Sequence, residues 1–402
     1  MFTQSNHSED TDYTCFSILY MIIKNDMTDY RRIKYGYVKY CYYEILTIIF
    51  ICTLIGITKI KYIMDFARRN YYIFKSFLEL KNGIPKYDTF LRVVHNTDPE
   101  ELARCRKDFL QYLKKYVESV DNKPVYFNGK KIDILALDGK KNLGSGCLAE
   151  NEEPVNIVTF YNVNKYEAET EETVRKKSNE IPANLEIVKR SENLSNTVIA
   201  LDALGCQKEL GEEINKRNGL FLFHVKRNHK NLYDEVQFAF EYKYTNTTNK
   251  FEKNRDRFEG RYYYYSNDVN YIPSAREWPS IKAYGAVYKI TTRGSGITFE
   301  PDFYIMNFDS KDLFIEVSRR YWAIENELHY IEDTAYEEDK CKVRKGNGPT
   351  VLNIIRKTGV TIFRRISEKT GKKYGTKRFV NLARNSLHDL AKLLTGKLEI
   401  LY

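Results

Sequence analysis

Two carboxylates stand where a buried strand should run out toward solvent. Asp138 follows the apolar run Ile132-Asp-Ile-Leu-Ala-Leu137, and Asp202 follows Val198-Ile-Ala-Leu201. At the C-terminal end of a strand a side chain leaves the sheet and can converge with others, and in open sheets that edge is where ligands bind. For either Asp alone, the plain alternative is an acid marking where a strand meets water. A third acid, Glu325, lies in Arg319-Arg-Tyr-Trp-Ala-Ile-Glu-Asn-Glu-Leu-His-Tyr-Ile-Glu-Asp333. Read as one helix, this segment puts Tyr321, Glu325, Leu328 and Glu332 on a stripe, with Trp322, Asn326 and His329 beside it. An acid set among Trp322, Ile324 and Leu328 is costly to bury without a metal or a cation nearby. A surface helix laced with ion pairs is the rival reading.

If Asp138, Asp202 and Glu325 meet, their oxygens suit two Mg²⁺ ions about 4 Å apart, and Mn²⁺ would substitute. One ion would activate water or a 3′-hydroxyl and the other would stabilise the leaving oxygen of an in-line phosphoryl displacement. Zinc is not expected, because the six histidines form no tight ligand pair and the seven cysteines form no CxxC pair.

The elements that must position these acids follow from periodicity. Residues 13–25, 44–80 and 100–119 carry long apolar runs or helical spacing and predict a helical N-terminal domain over 1–125. Within it, Asn82 to Phe90 reads as a helix start or as a short helix-turn-helix unit on DNA. Strands are expected at Lys131–Leu137, Val155–Tyr161, Asn196–Leu201 and Leu220–Val225, with a helix at Gly205–Asn218. This is an α/β fold with a mixed sheet and flanking helices, placed at 126–350. Aromatic and β-branched segments broken by Asn, Gly and Pro make 236–314 a β-rich insertion, expected to form a sheet of its own. Residues 351–402 read as a basic helical C-terminal segment.

The chain has 402 residues, enough for two or three domains, and a formal charge of +10. Residues 361–402 hold ten Lys or Arg against three acids, so nucleic acid and an anionic membrane surface are both possible partners of the tail. The odd, scattered cysteines point to a reducing compartment. The most apolar stretch, Ile45 to Ile57, is too short to span a bilayer and suits a buried helix. The expectation is a soluble, cytoplasmic protein with no membrane partner.

Six stretches then carry a family resemblance. They are Gly83-Ile-Pro-Lys-Tyr-Asp-Thr-Phe90 with Arg92-Val93 and Asp98-Pro99; Ala136-Leu-Asp-Gly-Lys140; Lys177-Ser-Asn-Glu-Ile181; Asp202-Ala-Leu-Gly-Cys-Gln207; Arg257-Phe-Glu-Gly-Arg261 followed by Trp278-Pro279; and Trp322-Ala-Ile-Glu-Asn-Glu-Leu-His329 with Asp333, Glu337-Glu-Asp339 and Arg344-Lys-Gly-Asn347. In this order they resemble the H-repeat-associated transposases, bacterial insertion-sequence enzymes with a ribonuclease-H-like core. The resemblance implies that Asp138, Asp202 and Glu325 are the catalytic, metal-holding Asp-Asp-Glu set. It also implies that the β-rich block is the insertion this group places ahead of its glutamate. The implied substrate is double-stranded DNA, both element ends with inverted terminal repeats and target, cut and joined by a dimer or larger assembly. Lys226 and Asn228 match a Lys-x-Asn-Gln pattern whose Gln is His229 here. Lys140 and Lys177 are candidates for phosphate contact near the first acid, and Lys226 for the scissile phosphate. Arg257, Arg261 and Arg320 are candidates for the DNA backbone. The sequence departs from the family at Tyr321, Tyr330, Glu332 and Arg255-Asp256. A domesticated or decayed copy that binds DNA without cutting it is the second reading.

Overall fold

A computed structural model describes residues 13–31, 38–117, 124–147, 153–174, 180–242, 246–254, 257–278, 280–293, 296–371 and 375–397. The chain forms two compact units, one of residues 121–140 with 156–326, the other of 1–120 with 141–155 and 327–402. The division falls inside a short π-helical turn, Ile324–His329, which continues the last helix of the first of these.

That unit is built on a mixed sheet. Its strands are β1 (Val125–Phe127), β2 (Lys130–Asn142), β3 (Val155–Asn162), β4 (Glu167–Val174), β5 (Thr197–Leu201) and β6 (Leu220–Val225), then β7 (Asn246–Asn254), β8 (Arg257–Ser266), β9 (Ala283–Arg293) and β10 (Gly296–Met306). The spatial order is β4-β3-β2-β5-β6-β10-β9-β8-β7, with β1 paired to β2. At the centre β2, β5 and β6 are parallel. Parallel neighbours need long crossovers, and the helices Glu180–Arg190 and Lys208–Lys216 supply them. Buried on both faces, β5 and β6 are almost continuously apolar, as TVIAL and LFLFHV. Leu135, Leu137, Ile199, Leu201, Phe221 and Phe223 join residues of the crossover helices, such as Ile187 and Ile214, in one core. This is the ribonuclease-H-like mixed core with flanking helices expected from the sequence.

The β-rich block does not make a separate sheet. Strands β7 to β10 form an antiparallel meander, and β10 pairs antiparallel with β6, so the block extends the core sheet. An apolar β6 left at an edge would present unpaired backbone groups, and β10 covers them. The sequence shows each strand but not this pairing, since period-2 patterning does not name a neighbour.

The other unit is helical. Tyr42–Leu54 realises the apolar run and is buried along nearly its whole length. No helix among the described residues is long and apolar enough to cross a membrane. Gly348–Lys369 packs against Pro99–Val117 and Tyr42–Leu54, and is followed by Thr376–Asn385 and Leu387–Leu394. Two arginines of the C-terminal segment are engaged in ion pairs within the unit. The fully buried Arg356 pairs with Glu338 at 3.1 Å, and Arg364 pairs with Glu327 at 2.6 Å and Glu368 at 3.2 Å.

Candidate metal centre

The parallel pairing of β2 with β5 runs through Leu137 opposite Leu201. Asp138 and Asp202 are the next residues, and adjacent strands lie about 4.8 Å apart, so the acids stand side by side, although Asp138 lies within β2 and not at the strand end expected from the sequence. They differ in backbone. Strand β2 continues past Asp138 to Asn142, whereas β5 stops at Leu201. The Asp202 carboxylate accepts from Gly205 N–H at 3.0 Å, which tightens the turn that begins there.

Glu325 arrives on a helix that starts by ordinary rules. Ser310 caps Lys311–Tyr321 by accepting from Leu313 N–H at 3.2 Å, Asp312 lies in the first turn, and Arg319 and Arg320 lie in the last. The single helix expected over Arg319–Asp333 is interrupted after Tyr321. The chain passes through the π-helical turn Ile324–His329 and resumes as Tyr330–Thr334. Such turns insert extra backbone and re-aim side chains, and they recur at functional sites. Buried Ile324 and Leu328 anchor this one, and the Lys289 ammonium sits 4.1 Å from the Trp322 ring centroid at its start.

The turn brings ligand-type atoms together. Asp138, Glu325 and His329 each offer one, and these atoms lie within 4.8 Å of one another, with Glu325 exposed and His329 buried. Burial first, then the charges of Asp202 and Glu325, push the Asp138 carboxyl up to about 8 against the pull of the Gly139 N–H. Burial and the charges of Asp138 and Asp202 raise the neighbouring Tyr321 hydroxyl as well. Acids crowded so that one resists ionisation are what a divalent cation relieves, and the donor set of carboxylates with one imidazole fits such an ion. A clustered Asp/Glu/His site able to coordinate a metal is therefore present.

Sequence reasoning missed His329. A lone histidine beside the Glu325 stripe carries little signal, and only the Glu-x-x-x-His spacing could have marked it. Glu327 is committed to Arg364 at 2.6 Å, and the fully buried Glu332 accepts from Asn353 at 3.0 Å.

The basic candidates are placed unevenly. Lys140 lies two residues past Asp138 on β2 and is half-buried. Lys226 is exposed just after β6. Asn228 donates to the Ala203 carbonyl at 2.7 Å, so it ties the segment after β6 to the turn beside Asp202. In place of the expected Gln, His229 bonds the Cys206 carbonyl at 2.6 Å and meets the Trp278 ring edge-on. Arg320 pairs with Glu316 at 3.3 Å. Arg257 and Arg261 lie on β8, away in sequence from Asp138 and Asp202. Lys177 falls outside the described residues.

Residues 25–110 match the family described as DDE_Tnp_1-associated. Over 345 residues the chain is 27% identical to "Putative protein YbfL" of Escherichia coli (strain K12), covering 83% of this chain and 87% of that protein. It is 26% identical, with the same coverage, to "H repeat-associated putative transposase YhhI" of the same strain. A solved piggyBac transposase synaptic complex with hairpin DNA aligns over 96% of this chain and 82% of that one, at a TM-score of 0.42 and 10% identity, below what would equate the two folds. The sequence similarities link the chain at family level to the H-repeat-associated transposases, as the motifs had indicated.

Proposed function

We propose that this chain is a DNA transposase that uses divalent cations to cut the terminal inverted repeats of an insertion sequence and join them to target DNA. The observation that carries the reading is the crowding of Asp138 by Asp202 and by Glu325 on its π-helical turn, in a chain similar to an H-repeat-associated putative transposase along most of its length. Asp138, Asp202 and Glu325 would hold Mg²⁺, or Mn²⁺ in its place, with His329 beside them. The bound cations supply Lewis-acid stabilisation of the phosphoryl transfer and lower the pKa of the attacking hydroxyl or water.

The chain's own residues do the rest. Asp138, half-buried and crowded by Asp202 and Glu325, gives up its proton when a cation is taken. Exposed Lys226 would meet the scissile phosphate, and Lys140, two residues past Asp138, would meet one near the first acid. Lys177 is a further candidate for phosphate contact, and Arg257, Arg261 and Arg320 would bind the DNA backbone. Two element ends must be processed together, so the working form on DNA is at least a dimer.

The test is incubation of the purified protein with DNA carrying the inverted repeats that flank its gene. Nicked ends and joined products should appear with Mg²⁺ or Mn²⁺ and be absent with EDTA. Binding of those ends without any cutting under either metal would favour the domesticated reading instead.

A further inference from the structure

Glu180 opens the helix Glu180–Arg190 and is buried, with 6% of its surface exposed. Glutamate is rarely buried unless something holds it there. A first-turn acid is favoured by the helix dipole, which accounts for its position in the helix. It does not account for where the carboxylate lies. That group packs against the backbone of Gly139, so closely that a Cβ there would come 2.6 Å from Glu180 Oε1. Asn156 on β3 donates to Oε2 at 3.1 Å. Gly139 is not among the glycines of positive φ, so what it provides is room for this carboxylate rather than an unusual backbone. Asp138-Gly139 on β2 and the first residue of the helix Glu180–Arg190 are thereby brought together, and the charge of Glu180 is felt at Asp138.

We propose that Glu180 is an outer carboxylate of the metal centre, a positioning residue that adds negative charge beside Asp138 and strengthens divalent-cation binding without being a ligand. Successive side chains of a strand point to opposite faces, so the bare side of Gly139 faces away from the Asp138 carboxylate. Glu180 therefore acts across β2 from Asp138 and is not itself one of the cluster of Asp138, Glu325 and His329. The proposal rests on the metal-centre reading of that cluster.

The experiment is a Mn²⁺ titration of the full-length protein without DNA, by calorimetry, with melting temperature measured in metal-free and Mn²⁺-saturated buffer. Glu180→Gln keeps an oxygen to accept from Asn156 and removes only the charge. It should weaken Mn²⁺ binding about tenfold, the scale of a lost partner behind a metal ligand, while the metal-free melting temperature holds. Gly139→Ala should displace the carboxylate and weaken Mn²⁺ binding in the same direction. The double variant should be no weaker than the worse single, because both act through one group. Wild-type Mn²⁺ affinity in Glu180→Gln overturns the proposal. If that variant does not fold, Gly139→Ala decides alone, and unchanged affinity there counts against it. Asp138→Asn separates the two levels. Loss of Mn²⁺ binding in Asp138→Asn but not in Glu180→Gln refutes only the role of Glu180, whereas a wild-type protein that takes no Mn²⁺ removes the metal reading as well.

Discussion

Glu325, Glu327 and Glu332 share one stretch of helix and have three different surroundings. Glu325 is exposed within ligand reach of Asp138, Glu327 is paired with Arg364, and Glu332 is buried on Asn353. Glu325→Gln should keep folding and DNA binding yet lower the metal-dependent cleavage rate by about 100-fold or more, since a cation supplies several kcal/mol and about 1.4 kcal/mol is tenfold. Glu327→Gln should cut within about twofold of wild type, the scale of a partly exposed ion pair. Glu332→Gln should show in the melting temperature before it shows in cutting. Rates against Mg²⁺ for the three variants check this, and a dead Glu327 variant beside an active Glu325 variant would put the ligand on the wrong residue. Asp138 adds a pH signature. Its folded value of about 8 lies above the ordinary 3.8, so between those limits the folded state holds a proton that the unfolded state has lost. Stability of the metal-free protein should therefore fall as pH rises from about 4 to about 8, and Asp138→Asn should flatten that slope in pH-dependent urea melts. The same proton must leave when a cation binds, so Mn²⁺ affinity should climb over that range. At this scale the nearness of Asp138 to Asp202 was legible, because each directly follows an apolar run and the two runs pair in parallel. His329 was not, because the π-helical turn that aims it leaves no mark in a single sequence.

At the scale of elements, Glu325 depends on how the helix Lys311–Tyr321 rests on the sheet. Gly285 on β9 lies under Phe314 of that helix, and a Cβ at 285 would overlap the ring. Gly285→Ala should cost about 1–3 kcal/mol, the usual penalty for overpacking, read as a lower urea midpoint with an unchanged slope. Beyond that helix, Lys289 caps the face of Trp322 and also pairs with Asp302. Burial works against ionisation of Asp302, yet His224 and Lys289 hold its carboxyl down to about 2. The strands of this region were each readable from their aromatic and β-branched patterning. Their docking onto β6 was not, since backbone pairing between segments far apart in sequence depends on which edge is free. The interruption after Tyr321 was hidden for a related reason. The apolar positions Ile324 and Leu328 satisfy α-helical spacing about as well as the wider turn that forms.

For the molecule as a whole, a charge of +10 gave only a weak indication of a polyanionic partner, and the structure shows why. Net charge counts every Lys and Arg alike, whereas Arg356 and Arg364 are engaged with Glu338, Glu327 and Glu368 inside the helical unit, so a count of basic residues does not say which of them face a partner. Arg356→Met should weaken folding by about 3–5 kcal/mol by leaving the buried Glu338 without its counter-charge, with Asn353 still donating to it, while DNA affinity of the folded fraction at fixed salt stays unchanged. Association belongs to this scale too. Sizing the protein with and without end-bearing DNA should show at least two copies on paired ends, and a single copy completing the joining would refute that. The most direct measurement is cleavage of end-bearing DNA by wild type, Asp138→Asn and Asp202→Asn, with binding to the same DNA recorded alongside. All three proteins should bind the ends comparably, and only the wild type should cut them in Mg²⁺. Cutting by either Asp variant at the wild-type rate would contradict the assignment of these two acids to a metal-dependent phosphoryl-transfer site.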